Sequence, residues 1–241
     1  MSKSRAKTVG VLGGMGPLAT ALFFKKLIEA TPAKKDWEHL RVIIDNDPQI
    51  PSRTRHFLYQ EESPVARMIA DCQKLAAYPV DFIVIPCNSA SFFLPEIQPH
   101  VTVPILNIME TTARSLASNF PGIRRVAVLG GAITYHHRTY QPFLQKLGFI
   151  HVQHSPAIQQ QVEALIEQIK INELGPAILK KMKTLIKQLK EKEKVEAIIL
   201  GCTEFGYIAQ VKAGIPVIDS TLELAKFTVQ LARASAGTDR P

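Results

Sequence analysis

Three segments occur twice in this chain, in the same order and at nearly one offset. Asp81-Phe82-Ile83-Val84-Ile85-Pro86-Cys87-Asn88-Ser89 is echoed by Glu196-Ala197-Ile198-Ile199-Leu200-Gly201-Cys202-Thr203-Glu204, with the cysteines 115 positions apart. Upstream, Val9-Gly10-Val11-Leu12-Gly13-Gly14 parallels Val126-Ala127-Val128-Leu129-Gly130-Gly131 at an offset of 117. Downstream, Val103-Pro104-Ile105-Leu106-Asn107 parallels Ile215-Pro216-Val217-Ile218-Asp219 at 112. A chain of 241 residues can bury one large core or two modest ones, and the repeat directs it to two. Each half then delivers one thiol from the end of an apolar run. Two thiols facing one carbon are suited to moving a proton on either of its faces.

Short β-branched runs alternate with amphipathic helical patterns, which predicts βα units and parallel sheets. Strands are expected at 8–12, 41–45, 81–86 and 103–107, then at 125–130, 150–154, 196–201 and 215–218. Helices are expected near 17–30, 64–77, 110–118, 136–147, 158–170, 173–193 and 221–234. Phe82-Ile83-Val84-Ile85 is apolar throughout rather than alternating, as a strand covered by helices on both faces requires. The turn-rich stretch Ser118-Asn119-Phe120-Pro121-Gly122 marks a linker. The expected domains are 1–118 with 221–241, carrying Cys87, and 119–220, carrying Cys202. The last helix is expected to return to the first half.

A formal charge of +8 invites a nucleic-acid reading. The densest basic run, Lys180 to Lys194, interleaves its lysines with Ile178, Leu179, Met182, Leu185, Ile186 and Leu189 at helical spacing. It therefore reads as the solvated face of an amphipathic helix, without the aromatics that base stacking needs. No nucleic-acid partner is expected, although a positive field draws small dicarboxylates toward a cleft. No apolar run approaches the roughly 20 residues of a membrane helix, so no membrane partner is expected. Met1 to Lys7 lacks the apolar stretch of a signal peptide. Three cysteines without a C-x-x-C pair make no disulfide framework, and a cytoplasmic setting is expected.

Gly14-x-Gly16-x-x-Ala19 after a strand matches a dinucleotide fingerprint. The nearest candidate acid for a ribose, Asp45, lies 29 residues past Gly16 instead of about 20, and Pro17 starts helices in any protein. A tight strand-to-helix turn is the simpler reading. Cys87 and Cys202 carry a more specific signal. Each follows an apolar strand and precedes a polar helix start, where amides and dipole favour a thiolate. An isolated free cysteine is usually a small core residue. The matched positions reverse that preference for these two, while Cys72, inside a helical pattern, keeps it. Adjacent histidines, His136-His137, point in different directions without carboxylates nearby, so no metal site is expected.

The segments Leu12-Gly13-Gly14-Met15-Gly16-Pro17-Leu18-Ala19-Thr20, Asn46-Asp47-Pro48-Gln49-Ile50-Pro51-Ser52-Arg53-Thr54, Pro86-Cys87-Asn88-Ser89-Ala90 and Gly201-Cys202-Thr203-Glu204 resemble the aspartate/glutamate racemase superfamily. They are most similar to the cofactor-independent aspartate racemases. The resemblance implies two flavodoxin-like α/β domains with parallel sheets, related by a pseudo-dyad around one active site, in a homodimer. It implies no pyridoxal phosphate or other cofactor, and two cysteines as acid and base at the α-carbon of aspartate or glutamate. By position, Cys87 and Cys202 are the catalytic thiols. Arg53 matches the arginine for the side-chain carboxylate, and Lys170 the second cationic ligand. Asn88, Ser89, Thr134 and Thr203 match polar groups around the α-carboxylate, and Met15 lies on the glycine turn lining the cleft.

Two departures stand out. Ser91 occupies the place of a family histidine, and Gly131-Ala132-Ile133-Thr134 replaces a Thr-Thr-Gly-Thr stretch. Other reactions of this fold, such as maleate isomerisation, hydantoin racemisation or malonate decarboxylation, are alternatives. The decarboxylases need one cysteine only, and a hydantoin offers no carboxylate to Arg53. An NAD-binding oxidoreductase and a catalytically silent binding protein are the readings from other classes.

Overall fold

Continuous apolar runs make the inner strands, and the computed structural model, which describes residues 6–171 and 173–234, builds two sheets on them. The first half runs β1 (Val9–Gly13), α1 (Pro17–Ala30), β2 (Val42–Asn46), α2 (Arg53–Tyr59), α3 (Val65–Ala77), β3 (Phe82–Val84), α4 (Asn88–Ser91), α5 (Leu94–Ile97), β4 (Ile105–Leu106) and α6 (Ile108–Asn119). The second runs β5 (Arg125–Gly130), α7 (Ala132–His136), α8 (Gln141–Lys146), β6 (Ile150–His151), α9 (Pro156–Lys170), α10 (Pro176–Glu193), β7 (Ala197–Gly201), β8 (Val217–Asp219) and α11 (Ser220–Ala234). The strand orders are β2-β1-β3-β4 and β6-β5-β7-β8, and every pairing is parallel. These are the doubly wound sheets expected of flavodoxin-like domains. In each, the chain leaves an inner strand toward one edge and returns to the other side. The switch points therefore lie between β1 and β3 and between β5 and β7, where such sheets bind ligands.

The chain divides into two compact units, one running to Asn107 and resuming at Leu224, the other spanning Ile108–Glu223. In the first, β1 and β3 are wholly buried, beneath Phe23 and Leu27 of α1 and Met68, Cys72 and Leu75 of α3. The end of α11 belongs here. Its Arg233 donates to the Pro32 carbonyl at 3.0 Å, and its Ala232 carbonyl accepts from the Lys7 amide at 2.9 Å. In the second unit, Val162, Leu165, Ile166 and Ile169 of α9 meet Met182, Leu185, Ile186 and Leu189 of α10 over Ile198 and Leu200 of β7. The lysines of α10 are left on the outer face, as its spacing predicts.

The acid that opens each repeated segment has a structural use. Asp81 accepts from the Thr8 amide at 2.6 Å, tying the start of β3 to that of β1. Glu196 accepts from the amides of Arg124 and Arg125 at 2.6 and 2.8 Å, tying β7 to β5. Those two amides hold the Glu196 carboxyl below its usual range.

Three sequence expectations meet differences. The span 136–147 is two helices, α7 and α8, with Arg138 left-handed at φ 48° between them. Pro142 lacks an N–H and would clash with the carbonyl four residues back, so a helix must restart there, with Pro142 in its first turn. Helix α10 begins at Pro176 rather than 173, because a proline bars its predecessor, Gly175, from helical geometry; Asn172 lies outside the described residues. The short helices α2, α4 and α5 give no periodic signal, having at most seven residues each.

Two stability predictions arise here. Gly14 sits at φ 91°, and a Cβ there would fall 2.2 Å from the Asp47 carbonyl oxygen. Gly14→Ala should destabilise the first unit by on the order of 3 kcal/mol, combining backbone strain with overpacking. Gly131→Ala, with nothing within 4 Å of the new Cβ, is the control and should stay within about 0.5 kcal/mol in urea denaturation.

The second concerns His151. Burial first, then Arg138 and His154, push its pKa down to about 4, and its Nδ1 is buried without a partner. Below about pH 6.5 the unfolded chain takes up a proton that the folded imidazole refuses. Stability should therefore fall as pH drops from about 6.5 toward 4, by up to roughly 3 kcal/mol from this group. His151→Asn should lose less stability than wild type between pH 7.5 and 4.5 in paired urea titrations. Equal losses would show that His151 does not titrate in this way.

Candidate active site

In the first unit the site residues gather at the carboxyl ends of β1, β2 and β3. The turn Gly14-Met15-Gly16 is held by Thr20, whose Oγ1 accepts from the Gly14 amide at 3.0 Å and donates to the Gly16 carbonyl at 3.1 Å. Asp47 packs its backbone against Gly14, while its carboxylate accepts from Arg67 Nε at 2.6 Å and from the Gln49 amide at 2.8 Å. The Arg67 guanidinium holds the Asp47 carboxyl below its usual range.

This loop leads to Arg53, the first residue of α2, with Ser52 capping the helix by accepting from the Arg55 amide at 3.3 Å. Arg53 Nη1 donates to the carbonyls of Ile50 and Pro51 at 3.3 and 3.0 Å, and Nη2 to the Met15 carbonyl at 3.3 Å. Its Nε is buried and has no partner. Arg53 thus joins the β1 and β2 loops and keeps the Nε side of its fork for another acceptor.

Helix α2 packs against α4, whose N-cap is Cys87. Cys87 and Asn88 are buried, Ser89 half-buried. Ser91, in the place of the family histidine, turns its hydroxyl back onto the Cys87 carbonyl at 3.1 Å. It closes the turn that presents the thiol, and the ring of His56 of α2 lies tilted against nearby Phe93, centroids 6.0 Å apart.

The second unit repeats the plan with different side chains. Gly130 ends β5 opposite Gly201 of β7, and a Cβ on Gly130 would meet Thr134 at 2.6 Å and the Gly201 carbonyl at 2.8 Å. That close approach brings Thr134, on α7, to the end of β7. Its Oγ1 is buried without a partner. Cys202 caps a 3-10 stretch, Thr203–Tyr207, and its Sγ donates to Glu204 Oε2 at 2.9 Å. Thr203 Oγ1 reaches the same oxygen at 3.4 Å.

Lys170 ends α9, which packs on this stretch. Its Nζ pairs with Glu167 Oε1 at 2.8 Å. Burial lowers its pKa, but Glu167, then Glu204 and Cys202, more than offset this and leave it raised, so the ammonium persists at neutral pH. Beneath the thiol lies Tyr140, fully buried, its phenol pushed up by burial and held by Thr112 and Ser220.

The structure therefore brings Met15, Arg53 and the Cys87-Asn88-Ser89 turn together in one unit, and Thr134, Lys170, Cys202 and Thr203 in the other. Sequence reasoning missed Glu204 as a partner of Cys202. The signal was present, since Ser89 and Glu204 hold matching places in the repeat and differ in charge. None of the three cysteines is joined in a disulfide. Burial, then Asp71 and Asp45, push the Cys72 thiol up to about 12, which leaves it a neutral core residue. Among the described residues no cluster of three or more His, Cys, Asp or Glu is placed to hold a metal, and no helix is long and apolar enough to cross a membrane.

Residues 12–228 match the family model described as Asp/Glu/hydantoin racemase. The chain is 32% identical over 228 residues to the broad-specificity amino-acid racemase RacX of Bacillus subtilis, covering 92% of this chain and 96% of that protein. Among solved structures, it resembles the Picrophilus torridus aspartate racemase at a TM-score of 0.79 and 30% identity, covering 98% of this chain and 96% of that one. The Bacillus anthracis glutamate racemase isoform RacE1 matches at a TM-score of 0.62 and 18% identity, over 96% of this chain and 83% of that one, which shows a common fold.

Proposed function

The chain belongs to the Asp/Glu/hydantoin racemase family, and on that footing we propose that it racemises aspartate, or glutamate, without pyridoxal phosphate, by passing the α-proton between Cys87 and Cys202. The observation that carries this reading is the pair of buried donors without partners, Arg53 Nε in one unit and Thr134 Oγ1 in the other. Native folds seldom leave such atoms unpaired, so each marks its own unit as prepared for a ligand group.

In the proposed cycle one thiolate takes the α-proton and becomes a thiol. The opposite thiol donates its proton to the other face of the carbon and becomes a thiolate. Atoms and charge balance, and the enzyme ends poised for the reverse reaction. The carbanion's charge flows into the α-carboxylate, where Asn88, Ser89, Thr134 and Thr203 strengthen their hold as it develops. Lys170, kept cationic, adds attraction from the Cys202 side. Glu204 holds the Cys202 thiol by its proton at 2.9 Å, which suits Cys202 to start as the acid. Glu204→Gln weakens that acceptor. It should slow turnover by about 10- to 100-fold, the worth of a hydrogen bond to a charged group, and move one limb of the pH–rate profile. An unchanged rate and profile would remove Glu204 from the mechanism.

A second reading, a wider range of amino acids, is favoured by the identity to a broad-specificity racemase and by the three carbonyls that Arg53 already holds. Polarimetry on pure enantiomers of acidic, neutral and basic amino acids, with no added cofactor, decides between them. Inversion confined to the acidic pair supports the first reading, inversion across the panel the second, and inversion of none excludes both.

A further inference from the structure

The outer helices of the second unit leave a groove of about 540 Å³ between α9 and α10. It plays no part in the chemistry above. Leu165 and Leu185, both buried, form its floor, and the small side chains of Ala164 and Ala177 leave it unfilled. From Gln161 to Gln168 it follows two turns of α9, a length of about 10 Å. Its volume is that of a small-molecule site, which spans roughly 300–1,000 Å³.

Charge selects the occupant. Lys180 and Lys181 stand at the rim, and among the described residues no carboxylate lines the groove, the nearby Glu173 accepting from the lining Gln168 Nε2 at 3.0 Å. Lys181 Nζ donates to Gln168 Oε1 at 3.0 Å, which leans it across the opening. Helices α9 and α10 together carry seven lysines against four glutamates, so the surrounding field is positive. The two helices pack on each other through Leu165 and Leu185 among others, so the floor of the groove is continuous apolar surface. A single methylene chain meets both the volume and the apolar floor.

We propose that this groove binds an unbranched aliphatic carboxylate of medium length, its chain along Leu165 and Leu185 and its head group on Lys180 and Lys181. Because the head is an anion on two exposed ammonium groups, binding weakens with salt. Because the chain lies on apolar floor, affinity climbs with each methylene, by up to about fourfold, until the chain outgrows the groove.

The test is calorimetric titration of the full-length protein with hexanoate, octanoate and decanoate below their micellar concentrations. The expected result is saturable 1:1 binding that tightens with chain length. Lys180→Glu with Lys181→Glu should weaken it at least tenfold, and Ala164→Trp, at an exposed position, should fill the groove and abolish it. Racemisation and the circular dichroism spectrum should stay unchanged in both variants, which separates this inference from the catalytic reading. The proposal is overturned by the absence of saturable binding below about 1 mM. Equal affinity for the methyl ester, equal binding by both folded variants, or binding to anionic vesicles alone would overturn it as well.

Discussion

Cys87→Ala and Cys202→Ala should each abolish net inversion, lowering racemisation by on the order of 10³-fold or more. A positioned acid or base is worth roughly 10²–10⁴-fold, and inversion needs one on each face of the carbon. Neither change should unfold the protein. Each removes one small side chain at a strand end, within the roughly 0.5–3 kcal/mol of ordinary substitutions. A more telling signature is what survives. Each variant keeps one thiol, so it should still exchange the α-proton of one enantiomer with solvent, and the two variants should differ in which enantiomer that is. Cys72→Ala is the control, because a fully buried thiol pushed up to about 12 has no proton to trade at neutral pH. Initial rates by polarimetry, with circular dichroism to establish folding, check all three. A folded Cys87 or Cys202 variant that racemises at near wild-type rate would end the two-base reading.

Arg53→Ala should cost on the order of 2–5 kcal/mol in transition-state binding of aspartate or glutamate, as truncating one partner of a desolvated charge pair does. A guanidinium grips a carboxylate through two parallel hydrogen bonds, which an ammonium cannot copy, so Arg53→Lys should recover little of the loss. The loss should be small for a neutral amino acid, if one is turned over. Arg53 has a second duty in the fold, since its bonds to Ile50, Pro51 and Met15 fasten the β2 loop to the glycine turn. Comparing kcat/KM on acidic and neutral substrates separates the two duties. Equal losses on both would mean that Arg53 acts by fastening the loops, and that the acidic specificity proposed for it is wrong.

The repeat made the framework legible because inner strands of a parallel sheet must be apolar on both faces. Runs such as Phe82-Ile83-Val84 and Ala197-Ile198-Ile199 have few other places to go. The long helices were legible for a similar reason, their stripes of Ile, Leu and Val recurring at the helical period. What escaped was short or non-local. Helix α2 has seven residues, too few to establish a period. The bond from Arg53 to the Met15 carbonyl spans 38 positions, and no local pattern records it. The thiols at 87 and 202 stood out by symmetry, whereas Glu204 mattered by breaking it. Ser91 shows the converse. Read as a missing histidine it is a loss, yet in the fold its hydroxyl closes the turn that holds Cys87.

The central claim, that two thiols work on opposite faces of one carbon, is tested most directly by the fate of the α-hydrogen in deuterated water. L-Aspartate would be incubated with the wild-type enzyme and no cofactor, stopped at low conversion, and both enantiomers analysed for deuterium at the α-carbon by mass spectrometry. The two-thiol account predicts that the D-aspartate formed carries solvent deuterium from its first appearance, while the recovered L-aspartate keeps its protium. A product that retains the substrate's own α-hydrogen would mean that one group removes and returns the same proton, and would contradict the account.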